Sequence, residues 1–222
     1  MPTVDKLLPR LLAIVALSVA FVAMTMAITA GWFNTLDIQV AEEMHSLWQE
    51  SLHPLFQLIA ELGGFELTTI LMVGLFFYLW RGRFGADALV IAAFAGAVAL
   101  EILYKSLLFH PGPPHSLSHS DGPSVSELLP RGALGNSFPS GHMVRAVVAY
   151  GLIAFVIRSL TPSRLLRAFV APVAIAVIVL VAFDRLYLDV HWESDVIGGL
   201  LLGGIALLAA TVWLDRPRKA EN

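Results

Sequence analysis

The sequence contains no cysteine, which excludes a disulfide framework, a thiolate metal site and a cysteine nucleophile. Charge is also scarce, because charged residues make up only 14% of the 222 residues, against about 25% in soluble domains. Hydrophobic residues make up 57%. The uncharged run from Leu11 to Ala30 is long enough to cross about 30 Å of hydrocarbon as a helix. We therefore predict an integral membrane protein, with no nucleic-acid partner.

The first apolar run could instead be a cleaved signal peptide. The run is longer than the apolar core of about 7–15 residues that such peptides carry. Ala30 could precede a cleavage site, but Ile28 fits poorly where a small residue is required. A retained membrane anchor is the favoured interpretation.

Six apolar segments are predicted to be membrane-spanning helices, which gives an all-α bundle with one domain over residues 1–222. Cytoplasmic loops are enriched in Lys and Arg. If both termini are cytoplasmic, ten of the 14 Lys and Arg lie on the cytoplasmic side, and the other four are Lys105, Arg131, Arg145 and Arg185. The predicted helices are at about 11–30, 62–80, 86–109, 140–157, 168–183 and 194–214.

Two of the outer links are long. Residues 31–61 mix apolar and acidic positions, which fits an amphipathic helix lying on the membrane. Residues 110–139 are rich in Pro, Gly, Ser and His, so both a disordered segment and a loop over an active site fit. In the last helix, Gly199 and Gly203 form a small-x-x-x-small face, which predicts close packing of helices.

Polar residues interrupt the apolar pattern at the outer ends of two predicted helices. Glu101 and Lys105 are four residues apart and can pair on one helix face. The alternative is that Lys105 only extends to the membrane surface. The stretch 139–142, "PSGH", can begin a helix at its proline and leave backbone N–H groups free to bind an anion. The alternative there is a capped helix with an incidental histidine.

A third polar stretch precedes the last helix. His191 and Asp195 are four residues apart, so a carboxylate can fix the tautomer of the imidazole and leave its other nitrogen free to attack or ligate. Arg185 offers a forked donor for phosphate. Together the three stretches predict a site that binds phosphate and transfers it through a histidine. A metal site formed by His142, His191 and Asp195 also fits the residue types, but Lys105 and Arg185 would repel the cation.

These stretches resemble the type 2 phosphatidic acid phosphatase family, whose phosphate site is shared with vanadium haloperoxidases. The family pattern reads K-x6-R-P, then P-S-G-H, then S-R-x5-H-x3-D. Residues 139–142 match the second part completely. Arg185, His191 and Asp195 match the third at the right spacing, with Asp184 where the family usually has Ser.

The first part of the pattern matches incompletely. Lys105 and Pro113 match, but Gly112 stands where an Arg is expected. One cation of the family's phosphate site is therefore missing. Several residues on the outer side could replace it, with Arg131 and Arg145 favoured because they are permanently charged; the candidates are His110, His115, His119, Arg131 and Arg145.

The resemblance implies a role for each matched residue. His191 is expected to form a phosphohistidine, and Asp195 to orient it. His142 is expected to protonate the leaving oxygen and then to activate water. No metal or other cofactor is expected. The phosphoryl oxygens are expected to be held by Lys105, Arg185 and the amides of Ser140 and Gly141.

The resemblance implies a membrane enzyme that removes phosphate from a lipid phosphate or pyrophosphate. Candidate substrates are undecaprenyl pyrophosphate, phosphatidic acid and phosphatidylglycerol phosphate, hydrolysed at the outer leaflet of the inner (plasma) membrane with the site facing the periplasm. One alternative is a lipid-to-lipid phosphotransferase. Another is a catalytically silent lipid-phosphate carrier, which Gly112 favours and the intact His142, His191 and Asp195 oppose.

Overall fold

The computed structural model describes residues 4–82, 85–114 and 136–216. Within these ranges the chain is helical and contains no β-strand. Short 3₁₀ segments at Glu50–Leu52 and Gly85–Val90 precede two of the helices. The eight α-helices are α1 Val4–Thr29, α2 Asn34–Ser46, α3 His53–Gly63, α4 Phe65–Arg81, α5 Ile91–Leu107, α6 Gly141–Leu160, α7 Arg164–Tyr187 and α8 Glu193–Leu214.

The predicted bundle of six transmembrane helices is confirmed. Within the described residues, six helical stretches are long and apolar enough to cross a membrane. The second of them is a pair, because α3 and α4 meet at Gly64, which ends one helix and caps the next. The second prediction, 62–80, therefore began too late, since it missed most of α3.

Other predicted boundaries were too short where a charged residue was assigned to a loop. Helix α7 begins at Arg164 and runs to Tyr187, so Arg167 and Arg185 lie inside it. The Ser163 hydroxyl caps its start by accepting the Leu166 N–H at 3.4 Å. Helix α5 begins later than predicted, at Ile91, because the preceding residues form a 3₁₀ segment.

Helix α6 is the centre of the bundle and packs against α3, α4, α5, α7 and α8, while α1 packs on α8. Val144, Val148 and Leu152 of α6 are fully buried. Large apolar side chains of α1 and α7 face outward instead, as they do on helices that contact lipid.

Glycine brings α6 and α8 together, as the sequence predicted. A Cβ atom built on Gly199 would lie 2.6 Å from both the Ser140 carbonyl oxygen and the Met143 Cβ. One built on Gly203 would lie 2.8 Å from the Val147 Cβ. Both distances are below van der Waals contact, so a larger residue at either position would force the helices apart.

The polar stretches meet at one end of the bundle, and the described chain ends meet at the other. The first end contains the last turns of α5 and α7 and the first turns of α6 and α8. At the opposite end, Arg10 of α1 pairs with Asp215 after α8 at 2.6 Å. The two ends of the described chain therefore lie away from the polar stretches. The prediction that this side is cytoplasmic stays a prediction.

The first of the two long links is more ordered than its composition required. Helix α2 lies in the predicted amphipathic segment and packs against α7 and α8, with Asp37 and Ala41 buried. Its contact with a membrane surface stays a prediction. Of the link 110–139, residues 110–114 and 136–139 are described. Three replacement candidates lie outside the described residues: His115, His119 and Arg131.

Candidate active site

His191 lies in the turn between α7 and α8, beside the N-terminus of α8. Its Nδ1 is 3.2 Å from Asp195 Oδ2. The same oxygen accepts the Trp192 N–H at 2.9 Å. Since a carboxylate only accepts, His191 Nδ1 donates and Nε2 keeps its lone pair. The predicted nucleophile and its orienting carboxylate are thus brought together in the geometry that attack through Nε2 requires.

The electrostatic surroundings keep His191 neutral. Burial lowers the pKa of His191 below its usual value, and the hydrogen bond and charge of Asp195 raise it in part. The charges of Lys105 and Arg185 lower the pKa further. A neutral imidazole is the form that can attack phosphorus, so the surroundings favour the reactive state.

The start of α8 is capped by a residue that sequence reasoning missed. Asp37 of α2 accepts the Ser194 N–H on Oδ1 at 2.9 Å and the Ser194 hydroxyl on Oδ2 at 2.8 Å. Burial raises the pKa of Asp37, and its hydrogen bonds from Ser194 oppose that rise. The two residues are 157 positions apart, so no local pattern connects them.

The start of α6 carries the "PSGH" stretch to the same place. The Ser140 N–H donates to the Asp195 carbonyl oxygen at 3.0 Å. This amide is therefore already hydrogen-bonded within the protein, and its role as a phosphate ligand stays a prediction. The Ser140 hydroxyl is fully buried and has no hydrogen-bond partner within the described residues. A phosphate oxygen would satisfy it, so the hydroxyl is a further candidate ligand.

Gly141 and its neighbouring amides begin the helix. The first helical bond of α6 here runs from the Val144 N–H to the Ser140 carbonyl oxygen at 3.1 Å, so the preceding amides lie before the helical ladder. A Cβ on Gly141 would lie 1.9 Å from Glu101 Oε1. A larger residue at position 141 would therefore displace the Glu101 carboxylate of α5.

Glu101 binds two cations of the site. Its Oε1 is 3.1 Å from Lys105 Nζ, which confirms the predicted pair. Its Oε2 is 3.2 Å from Arg145 Nη1, and sequence reasoning missed this pair because it joins α5 to α6. Arg145 also donates from Nε to the Gly63 carbonyl oxygen at 3.2 Å. Arg145 is therefore fixed by α3 and α5.

Two guanidinium groups face the two ring nitrogens of His142. Arg145 Nη2 is 3.4 Å from Nδ1, and Arg185 Nη1 is 3.3 Å from Nε2. A guanidinium only donates, and a neutral imidazole accepts at one nitrogen only. One of the two contacts is therefore not a hydrogen bond. Both guanidinium groups are held by carboxylates, Arg145 by Glu101 and Arg185 by Asp184, so the ends nearest His142 are the donors left for a bound phosphate.

Asp184, which replaces the family's usual Ser, holds Arg185 in place. Arg185 donates to Asp184 Oδ2 from Nε at 2.8 Å and also from Nη2. Both side chains are buried, with Asp184 0% and Arg185 4% exposed. The pair directs the remaining end of the guanidinium, Nη1, towards His142.

Gly112 lies in the segment that follows α5 and faces the His191 turn. A Cβ on Gly112 would find Ser137 Cβ at 3.4 Å and the Val190 carbonyl oxygen at 4.0 Å. The indole N–H of Trp192 donates to the Pro111 carbonyl oxygen at 2.8 Å and ties the segment to the turn. The position at which the sequence pattern expects an Arg therefore lies next to the turn that carries His191, with room for a Cβ atom.

The sequence also allowed a metal site that includes His142, and Arg145 as the replacement for the missing cation. Among residues 4–82, 85–114 and 136–216, no group of three or more His, Asp or Glu is arranged to hold a metal ion. Arg145 and Arg185 lie beside His142 instead. As phosphate ligands, Lys105, Arg145 and Arg185 stay predictions.

Comparison with known proteins adds a family and two relatives. A family model described as the PAP2 superfamily matches residues 84–219. A phosphatidylglycerophosphatase B of Bacillus subtilis is 41% identical over 68 residues, which cover 30% of this chain and 34% of that protein. A putative undecaprenyl-diphosphatase of Escherichia coli, YbjG, is 28% identical over 137 residues, which cover 60% of this chain and 62% of that protein. The chain thus spans about a third of the length of the first relative and about three fifths of the length of the second.

A solved structure shares the fold. The crystal structure of a transmembrane PAP2 type phosphatidylglycerolphosphate phosphatase from Bacillus subtilis matches with a TM-score of 0.76. The match covers 94% of this chain and 98% of that chain at 24% sequence identity. The likeness extends over α1 to α4, which the family model does not reach.

Proposed function

Since the chain belongs to the PAP2 superfamily, we propose that it hydrolyses a lipid phosphate or pyrophosphate through a phosphohistidine. The observation that carries the proposal is the His191–Asp195 contact of 3.2 Å beside a buried, unpartnered Ser140 hydroxyl. A binding protein has no need of an imidazole whose tautomer is fixed for attack.

The first half-reaction transfers the phosphoryl group to the protein. His191 Nε2 forms a bond to phosphorus as the bond from phosphorus to the leaving oxygen breaks. His142, as an imidazolium, gives one proton to the leaving oxygen and becomes neutral, so the leaving group departs protonated, as the lipid alcohol or, from a pyrophosphate, as the lipid monophosphate. Asp195 stabilises the positive charge that develops on His191, and the groups that would hold the phosphoryl oxygens are Lys105, Arg185, the Ser140 hydroxyl and the Gly141 amide.

The second half-reaction returns the enzyme to its starting state. His142 takes a proton from a water molecule, whose oxygen then attacks phosphorus. The bond between phosphorus and His191 Nε2 breaks, and inorganic phosphate leaves. The proton that His142 gave in the first step is thereby restored, and each turnover consumes one water. No step requires a metal ion.

Charge complementarity supports a phosphate as the ligand. Lys105, Arg145 and Arg185 contribute three positive charges within one end of the bundle. Glu101 and Asp184 are their carboxylate partners. These carboxylates hold the cations near the site before a ligand arrives. A bound phosphate would then compete with the carboxylates for the same N–H donors.

The lipid substrate is proposed on the names of the relatives. One relative is named for phosphatidylglycerol phosphate and another for undecaprenyl diphosphate. We include phosphatidic acid as the third candidate, because it presents the same phosphomonoester on a glycerolipid. The site lies at the end of apolar helices, so the lipid tail can remain in the bilayer while the head group reaches His191.

The test is phosphate release from these three lipids by the purified protein in the presence of EDTA. We expect release from at least one lipid, loss of release in His191→Ala and normal release in His53→Ala, a histidine on α3 outside the site. Rapid quenching should also detect one phosphoryl group on His191 by peptide mass spectrometry. Activity that requires an added divalent metal, or that survives His191→Ala, contradicts the mechanism.

We also propose that the site faces the periplasm from the inner membrane. The basis is the distribution of Lys and Arg, most of which lie at the opposite end. The chain has no native cysteine, so single cysteines report on sidedness without interference. In intact cells, an impermeant maleimide should label Ser46→Cys, at the end of α2, but not Ser159→Cys, near the end of α6. The reverse pattern would place the site in the cytoplasm.

A further inference from the structure

The segment that follows α5 places a second imidazole against Asp195. His110 Nε2 lies 3.4 Å from Asp195 Oδ1 and 3.4 Å from the Ser194 hydroxyl oxygen. The His110 side chain is only 12% exposed. Asp195 therefore lies between two histidines, with His191 on Oδ2 and His110 beside Oδ1.

The backbone holds His110 in this position. Its N–H donates to Asn136 Oδ1 at 2.9 Å, and Asn136 donates in turn to the Lys105 carbonyl oxygen at 2.8 Å. The His110 carbonyl oxygen accepts the Ser137 N–H at 2.8 Å. These bonds tie the segment to the end of α5 and to the approach to α6, so the ring has little freedom to leave Asp195.

The neighbours of His110 determine where its proton lies. The Ser194 hydroxyl donates to Asp37 Oδ2 at 2.8 Å, so its oxygen presents a lone pair to His110. The Asp195 carboxylate is an acceptor as well. Both groups that Nε2 faces are therefore acceptors, and Nε2 carries the proton. His110 is thus a donor directed at the carboxylate that orients the nucleophile.

We propose that His110 is a positioning residue that acts on His191 through Asp195. Asp195 Oδ2 accepts from both His191 and Trp192. Asp195 Oδ1 is buried and has no hydrogen bond within the described residues, and His110 Nε2 is the donor that approaches it. The His110 N–H close to Oδ1 and the two hydrogen bonds on Oδ2 together disfavour rotation of the carboxylate, which keeps Oδ2 directed at His191 Nδ1.

This role differs from the one that the sequence allowed for His110, as a replacement for the cation missing at Gly112. The ring contacts the groups that hold the nucleophile, Asp195 and Ser194. The segment that lacks the usual Arg therefore contributes to nucleophile orientation. The inference rests on the proposed function, because orientation of His191 matters only if His191 attacks.

The test compares His110→Leu, which removes the donor, with His110→Gln, whose amide N–H reaches about as far as Nε2. Each is made in the wild-type and in the Asp195→Ala background, and His53→Leu serves as the matched control. We expect His110→Leu to lower kcat about tenfold, an effect of about the size of one hydrogen bond, with KM changed by no more than about twofold. His110→Gln should recover most of the loss. In Asp195→Ala, His110→Leu should have no further effect.

Three results would overturn the inference. The first is an equal kcat for His110→Leu and the wild type. The second is the same loss in both backgrounds, which would mean that His110 does not act through Asp195. The third is a higher KM together with weaker inhibition by inorganic phosphate, which would make His110 a phosphate ligand.

A second readout applies if the wild type releases no phosphate from any lipid, a result that would refute the proposed function instead. Diethyl pyrocarbonate modifies neutral imidazoles, and peptide mass spectrometry measures the rate at His191 alone. We expect His110→Leu to change that rate by severalfold and His53→Leu to leave it unchanged. Equal rates in all three proteins would refute the positioning role.

Discussion

Replacing Gly199 with Ala should separate α6 from α8 and move the site with them. The added Cβ would meet the Ser140 carbonyl oxygen and the Met143 Cβ, both at 2.6 Å. Carbon contacts are favourable at about 3.5–4.0 Å, so the helices must separate by about 1 Å. Adding a methyl group to a packed interface costs about 1–3 kcal/mol.

Gly74→Ala is the matched control for Gly199→Ala. Gly74 also lies within a membrane-spanning helix, and a Cβ there meets no atom of the described residues within 4 Å. Both variants gain the same helix propensity, about 0.5–1 kcal/mol. The difference between them therefore isolates the packing cost at the interface of α6 and α8.

The assay is thermal unfolding in detergent, followed by the fluorescence of the five tryptophans at one fixed heating rate. At about 2–4 °C per kcal/mol for a chain of this size, Gly199→Ala should unfold about 2–12 °C below Gly74→Ala. Its kcat should also fall, because Ser140 is bonded to the Asp195 carbonyl oxygen across the same interface. Equal midpoints for the two variants would refute the close packing of these helices.

Four further predictions concern the charges of the site. The kcat/KM of the wild type should decrease as the pH is lowered below about 6.5, the usual pKa of histidine. The reason is that protonation of His191, whose pKa is lowered, removes the attacking lone pair. Asp195→Asn should move this decrease in kcat/KM to lower pH, because Asp195 raises the pKa of His191. A shift to higher pH would contradict the assignment of the decrease to His191. Gly112→Arg should strengthen inhibition by inorganic phosphate about tenfold, through one charge-assisted hydrogen bond. A Cβ atom at this position makes only ordinary contact, with its nearest atom at 3.4 Å. Unchanged inhibition would mean that another cation already fills the position. Glu101→Gln should lower stability by about 3–5 kcal/mol, because it leaves Arg145 buried without its carboxylate. Adding Arg145→Met should recover part of the thermal midpoint. No recovery would mean that the loss of stability does not come from the unpaired Arg145.

The pairs that sequence could predict are those one helical turn apart. Glu101 with Lys105 and His191 with Asp195 are each separated by four residues, so the helical period alone brings them together. The six spans followed from hydropathy in the same way. Charged residues caused errors only in the predicted ends of the helices, because a helix can continue through an Arg that lies at the membrane surface.

The contacts that sequence could not predict join distant segments. Asp37 reaches Ser194 from a helix outside the family's motifs, and His110 reaches Asp195 from a segment whose composition suggested only a loop. Each depends on how α2 and the segment after α5 pack on the start of α8, which no local spacing encodes. The hydrogen bond of the Ser140 amide could not be predicted for the same reason, since its acceptor is 55 residues away on another helix.

The double pairing of Glu101 has a consequence for insertion into the membrane. Helix α5 carries Glu101 with Lys105 one turn away, so it can enter the bilayer as a charge-neutral segment. Helix α6 carries Arg145 and has no acidic residue in its sequence. Its guanidinium gains its carboxylate partner only when α6 docks against α5. Assembly of these two helices is therefore coupled to burial of that charge, and the mature site forms in the same step that makes α6 stable in lipid.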